Sequence, residues 1–116
     1  MVQITMQVPE ELAKKIQPLQ PWLPAILELS FVGFRTLATA TATEVVQFLS
    51  ANPSPKEVLK FHVSKRAQIR LRRLLALNAA GLLGEPGQRE LDELQQLEHT
   101  MTMLKAQIAK ETAPEA

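Results

Sequence analysis

Val2-Gln3-Ile4-Thr5-Met6-Gln7-Val8, followed by Pro9-Glu10-Glu11-Leu12-Ala13-Lys14-Lys15-Ile16, is the stretch whose reading decides the fold. Apolar Val2, Ile4, Met6 and Val8 alternate with polar Gln3, Thr5 and Gln7, the two-residue period of a strand with one wet and one buried face. Pro9 ends that strand and suits the first position of a helix, with Glu10 and Glu11 favourable in the first turn. A lone strand cannot satisfy its own hydrogen bonds, and no second strand of comparable quality follows in the chain. The spacing therefore predicts that residues 2–8 pair with the same residues of a second copy across a two-fold axis. The expected fold is mainly α: a short N-terminal β-strand pairing in a dimer ribbon, two core helices, then a C-terminal helical hairpin.

Working outward, a first helix is expected from Pro9 to Gln17, with Leu12 and Ile16 on one face. Pro18 and Pro21 bracket a turn, and a second helix is expected from Pro24 to about Leu37. Its apolar residues Ile26, Leu27, Leu29, Phe31, Val32 and Phe34 cover more than one face, which predicts burial on several sides in a dimer core. Thr36 to Thr43 reads as a small-residue linker closing on a capping box, Thr41 with Glu44, before Val45 to Ser50. Asn52-Pro53 stops that helix. Ser54-Pro55-Lys56-Glu57 combines a cap, a first-position proline and a third-position glutamate, starting a short helix to Phe61. Ser64 caps a longer helix from Lys65 to about Ala80.

Gly81 and Gly84 then punctuate the chain, and a last helix runs from about Pro86 to Lys110. Its apolar positions Leu94, Leu97, Met101, Leu104 and Ile108 form a narrow heptad-like seam. The tail from Glu111 to Ala116 is expected to fray. Two segments result: a strand-helix-helix dimerisation module over 1–40, and a helical partner-binding segment over 41–116 that ends in the hairpin. No internal repeat is visible.

The 116 residues carry a net charge of +1, but the charge is unevenly placed. Residues 55–75 hold seven Lys/Arg against one Glu, whereas residues 76–116 hold three against seven acids. A basic arm followed by an acidic arm can pair internally, or each can face a partner. Arg66, Arg70 and Arg73 fall on one helical face, with Lys65 beside them, and these four are the candidate partner-binding residues. Cysteine is absent, which excludes disulfides and thiolate metal sites and fits a reducing cytoplasm. No signal peptide or membrane span is legible, because Trp22 to Phe34 is interrupted by Pro24 and Glu28.

Little in the chain suggests catalysis or a cofactor. His62 and His99 have no second ligand at metal spacing. Ser30 and Ser64 lack a partnered histidine, and Ser64 is explained as a cap. Gly81 to Gly87 lacks the Lys-Ser/Thr ending of a phosphate-binding loop. The reading is non-enzymatic, with no metal and no cofactor.

The order strand, helix, helix over Val2 to Phe34 resembles the ribbon-helix-helix proteins. That resemblance implies an antiparallel ribbon in the DNA major groove, with Gln3, Thr5 and Gln7 against base edges; glutamine can pair bidentately with adenine. Over nearly its full length the chain also resembles small bacterial antitoxin-like proteins. The matching residues are Ile4 to Leu12, Leu23 to Leu29, Asn52 to Pro55 and Leu97 to Ala106. What this implies is a homodimer that binds double-stranded DNA through its ribbon and a partner protein, such as a nuclease toxin, through its C-terminal helices. A second reading stays open. Gln20 to Pro24 offers prolines where the ribbon family clamps a phosphate with amides, and the strand has no Lys or Arg. The chain would then be a protein–protein adaptor that uses the ribbon only to dimerise.

Overall fold

A computed structural model describes residues 2–112, apart from the side chains of Val32 and Thr112. Six α-helices follow one another: α1 Glu10–Ile16, α2 Leu23–Val32, α3 Ala38–Ser50, α4 Pro55–Lys60, α5 Lys65–Ala79 and α6 Glu85–Thr112, with a 3-10 turn Gln17–Leu19 after α1. The long α6 is the spine. Leu91, Leu94, Leu97, Met101, Leu104 and Ile108 are all buried, and α2, α3, α4 and α5 each pack against that helix. Of the tail expected to fray, Glu111 and Thr112 complete α6, and residues 113–116 lie outside the described residues.

The expected N-terminal strand is not there. Among the described residues there is no β-strand, and residues 2–9 take no regular structure before α1. This overturns the ribbon-helix-helix start, and with it the predicted β-ribbon of the fold class and of the antitoxin-like resemblance. The physical reason is that alternation supplies an amphipathic face but no hydrogen-bonding partner, and the described residues contain no second strand to form a ladder. The mainly helical architecture stands.

Trp22 fastens α2 to the body. Its side chain is 4% exposed, and its indole Nε1–H donates to the carbonyl of Pro53 at 3.0 Å. A buried indole needs such a partner, and the α3–α4 turn supplies it. Ala25 and Leu29 continue the buried stripe, while Leu27 and Phe31, four residues apart, face solvent. In the single chain α2 is thus one-sided, where the sequence predicts burial on several sides. Gly33 ends it with φ 69°, the left-handed conformation that glycine adopts most easily.

The stretch read as a linker is helical. Ala38, Ala42, Val45 and Leu49 are buried at helical spacing, so the Thr-Ala run is the first half of α3. Its threonines are accommodated by bonding back to the chain: Thr43 Oγ1 donates to the carbonyl of Thr39 at 2.9 Å, and Thr39 Oγ1 to that of Phe34 at 3.2 Å. The expected box between Thr41 and Glu44 does not form; Glu44 instead accepts from the amide of Ser64 at 2.6 Å. At α4 the box is present, with Ser54 Oγ accepting from Glu57 N at 3.1 Å and Glu57 accepting from Ser54 N at 3.4 Å.

The N-terminal arm differs from the rest. α1 contains no buried residue and packs chiefly against the turn that follows it. Val2, Ile4 and Met6 are 90%, 79% and 64% exposed. The radius of gyration of 16.4 Å exceeds the roughly 13 Å of a compact chain of this length, in keeping with an arm that stands off the body.

Candidate functional site

α5 is a helix for local reasons. Ser64 Oγ accepts from the amide of Ala67 at 3.2 Å, and the Arg, Leu, Ala and Gln that follow are good helix formers. Ala67 and Leu74 are buried and Leu71 half-buried, which fixes the inner face. Ile69 lies on the outer face and is 56% exposed. Residues three and four away are its neighbours on a helix surface. For Ile69 those four neighbours are Lys65, Arg66, Arg72 and Arg73, all exposed.

Among the described residues, Arg70 is the cation of this helix that is paired with an acid of the chain. Its Nε and Nη2 donate to the two carboxylate oxygens of Glu90 at 2.7 and 2.9 Å, a bidentate pair joining α5 to α6. Glu90 is 5% exposed, and the hydrogen bonds from Arg70 hold its carboxyl below the ordinary glutamate pKa, against the opposing effect of burial. Among the described residues, Lys65, Arg66, Arg72 and Arg73 make no ion pair or side-chain hydrogen bond. The sequence grouped Arg66, Arg70 and Arg73 as equals. The structure turns Arg70 to the acidic helix and leaves the other two outward.

Gln3, Thr5 and Gln7 are exposed along the arm, with no strand to present them together on one sheet face. His62 is exposed between α4 and α5, and His99 is exposed on α6. Among the described residues, no three His, Cys, Asp or Glu side chains converge as metal ligands. Nor is any helix among them long and apolar enough to cross a membrane.

A cleft of about 260 Å³ opens beside the inner edge of α5, floored by Val45, Leu94, Leu97 and Met101 and rimmed by His62 and Glu98. One wall is the α4–α5 connection, which three side chains pin in place. Lys105 Nζ donates to the carbonyl of Phe61 at 2.6 Å, Gln68 Nε2 donates to that of Val63 at 2.9 Å, and Glu44 holds the amide of Ser64. These bonds fix where α5 begins, and so the orientation of its outer face.

Three features escaped the sequence reading. Glu93, which in the sequence reads with the other acids of the last helix as a solvated face or a partner for the arginines, accepts from the amides of Arg35 and Thr36 at 3.1 and 3.2 Å and from Thr36 Oγ1 at 2.8 Å. It thereby ties the α2–α3 connection to α6. Trp22 was legible as the single tryptophan but not as the anchor of α2. Ile69 lies off the apolar face, so helical periodicity gives it no role, although its spacing from the four cations marks it.

Compared with known protein families, curated proteins and solved structures, the chain matches none.

Proposed function

We propose that this chain is a non-enzymatic adaptor whose helical body holds a partner protein against the outer face of α5. The observation that carries the reading is the cation surplus there: only Arg70 is matched by an acid, while Lys65, Arg66, Arg72 and Arg73 are unpaired among the described residues. Charges that a fold leaves unused are free to steer and orient a complementary surface. Base readout by Gln3, Thr5 and Gln7 depended on a ribbon, and without one the reading has lost its geometric support. The adaptor, second in the sequence reading, therefore moves ahead.

The test is a photoreactive phenylalanine analogue placed at Ala76 on the outer side of α5, or at Ala106 on the exposed side of α6, with irradiation in the native host. A protein adduct from position 76 and none from position 106 is expected. A nucleic-acid adduct from position 76, or no adduct at either position, would overturn the reading.

The same reading includes a homodimer. It is supported by Val2, Ile4 and Met6 of the arm and by Leu27 and Phe31 of α2, which leave apolar surface uncovered in the single chain. Apolar burial takes over the role that strand pairing had in the sequence reading. Light scattering should give a dimer mass for the wild type and a monomer mass for Ile4→Asp combined with Phe31→Asp. A monomeric wild type would remove the dimer and leave the α5 surface to stand alone.

A further inference from the structure

We infer that the outer face of α5 docks an acidic amphipathic helix of the partner protein. An apolar side chain of that helix seats on Ile69, while its carboxylates meet Lys65, Arg66, Arg72 and Arg73. The inference rests on α5 being a protein-binding surface and names the chemistry of what binds there.

A single exposed isoleucine is ordinary on a protein surface. What sets Ile69 apart is its ring: all four of its helix-surface neighbours are cations, and none of them is paired among the described residues. An apolar centre inside a charged rim is the pattern of a protein interface, where a desolvated contact carries the energy and the rim sets orientation. From Lys65 to Arg73 the patch spans two helical turns, roughly 12 Å of helix axis, which matches a short helix–helix contact.

The charge of the partner follows from the charge left over. Residues 55–75 carry seven cations and one acid, and that acid, Glu57, is committed to the capping box with Ser54. Glu90, the acid that α6 offers to this helix, is used by Arg70. Among the described residues no further acid pairs with that surplus, and the inference assigns it carboxylates of a partner, spaced as on a helix.

Two other polyanions fit less well. Single-stranded nucleic acid is held by cations together with aromatic stacking, and duplex by cations together with polar base contacts. The outer face of α5 has no aromatic side chain, Gln68 is turned to the carbonyl of Val63, and an isoleucine at the centre of the cations has no counterpart on a phosphate backbone. An anionic membrane is met by a helix that lays a continuous apolar face into the interface. Here that face, with Ala67 and Leu74 buried and Leu71 half-buried, is already packed in the body.

The experiment uses the full chain and four fluorescent probes at low and high salt. These are a synthetic amphipathic helix of about twenty residues with leucines at helical spacing flanked by glutamates, poly-glutamate, a DNA duplex, and phosphatidylserine vesicles. The leucine-glutamate helix is expected to bind best, with affinity falling as salt rises. Ile69→Ser should weaken that probe at least about tenfold and leave the weak binding of poly-glutamate unchanged. Arg72→Glu combined with Arg73→Glu should abolish both. Circular dichroism on each variant checks that the helices persist, and Ile69→Val, which keeps an apolar centre, should retain binding if they do not.

Equal affinity for duplex or vesicles, or no effect of Ile69→Ser in a folded variant, would overturn the inference. The photo-adduct separates its failure from that of the adaptor. A non-acidic protein captured at position 76 would end the acidic-helix assignment alone, whereas captured nucleic acid would end both.

Discussion

Leu94, Leu97, Met101, Leu104 and Ile108 of α6 are all buried, whereas Val2, Ile4 and Met6 of the arm lie in solvent, although both sets are spaced for one face of a regular element. The seam of α6 finds α2, α3, α4 and α5 of its own chain, and a helix carries its own hydrogen bonds wherever it goes. The arm lacks a second strand and therefore lacks both ladder and cover. Periodicity records that a segment has an apolar side; whether the chain also supplies what covers it is a separate property. The same contrast recurs within α5, where Arg70 has an acid waiting on α6 and Ile69 with its four cations does not.

The sharpest way to break the contrast is to remove one anchor from each region. Trp22→Ala deletes a buried indole and its bond to Pro53, and should cost about 3–5 kcal/mol of stability in urea unfolding. Ile4→Ala in the arm, measured at a protein concentration low enough to keep the chain monomeric, should change it by less than about 0.5 kcal/mol. Comparable losses at the two sites would mean the arm belongs to the folded body.

Next in size is the pair that joins the basic and acidic helices. Arg70→Ala strands the carboxylate of Glu90 in a buried position and should cost roughly 2 kcal/mol, within the range for hydrogen bonds to charged groups. The pH dependence has a definite sign. Because the pKa of Glu90 is lowered in the folded protein, its contribution is fully present above the unfolded glutamate value of about 4.3 and is lost as pH falls through the lower folded value. The stability gap between wild type and Arg70→Ala should therefore be widest above the unfolded glutamate value and close only as pH falls through the lowered folded value. A gap that does not vary with pH would show that the pair is not what stabilises the hairpin.

The smallest effect is expected at Thr100, whose hydroxyl is buried on α6 with no hydrogen-bond partner among the described residues. Thr100→Val keeps the shape and removes the unpaired group, so unfolding should show neutral behaviour or a gain of up to about 1 kcal/mol. A loss would reveal a partner for the hydroxyl.

Much of the helical body could be read from the chain. Ser54-Pro55 with Glu57, Ser64 before Lys65, and the apolar seam of α6 each combine a local start signal with a period, and all three form as expected. Where a local signal conflicted with tertiary packing, packing prevailed. Four of the residues from Thr36 to Thr43 are threonines, weak helix formers, yet Ala38 and Ala42 are buried in the core and Thr39 and Thr43 bond backwards. Glu93 was illegible as a structural group because its donors lie 57 and 58 residues away in the chain. The candidate surface was half legible: the charge block is evident in composition, but which arginine turns inward depends on where Glu90 falls across the hairpin.

The central claim, that the cations around Ile69 are surplus to the fold and serve a partner protein, is tested most directly by Arg72→Glu combined with Arg73→Glu. Urea unfolding and the photo-adduct from position 76 are measured on the same variant. The account predicts a stability change of no more than about 1 kcal/mol, as for solvated charges, together with loss of the protein adduct. A loss of several kcal/mol would show that the fold itself uses these arginines, and an undiminished adduct would show that the partner does not.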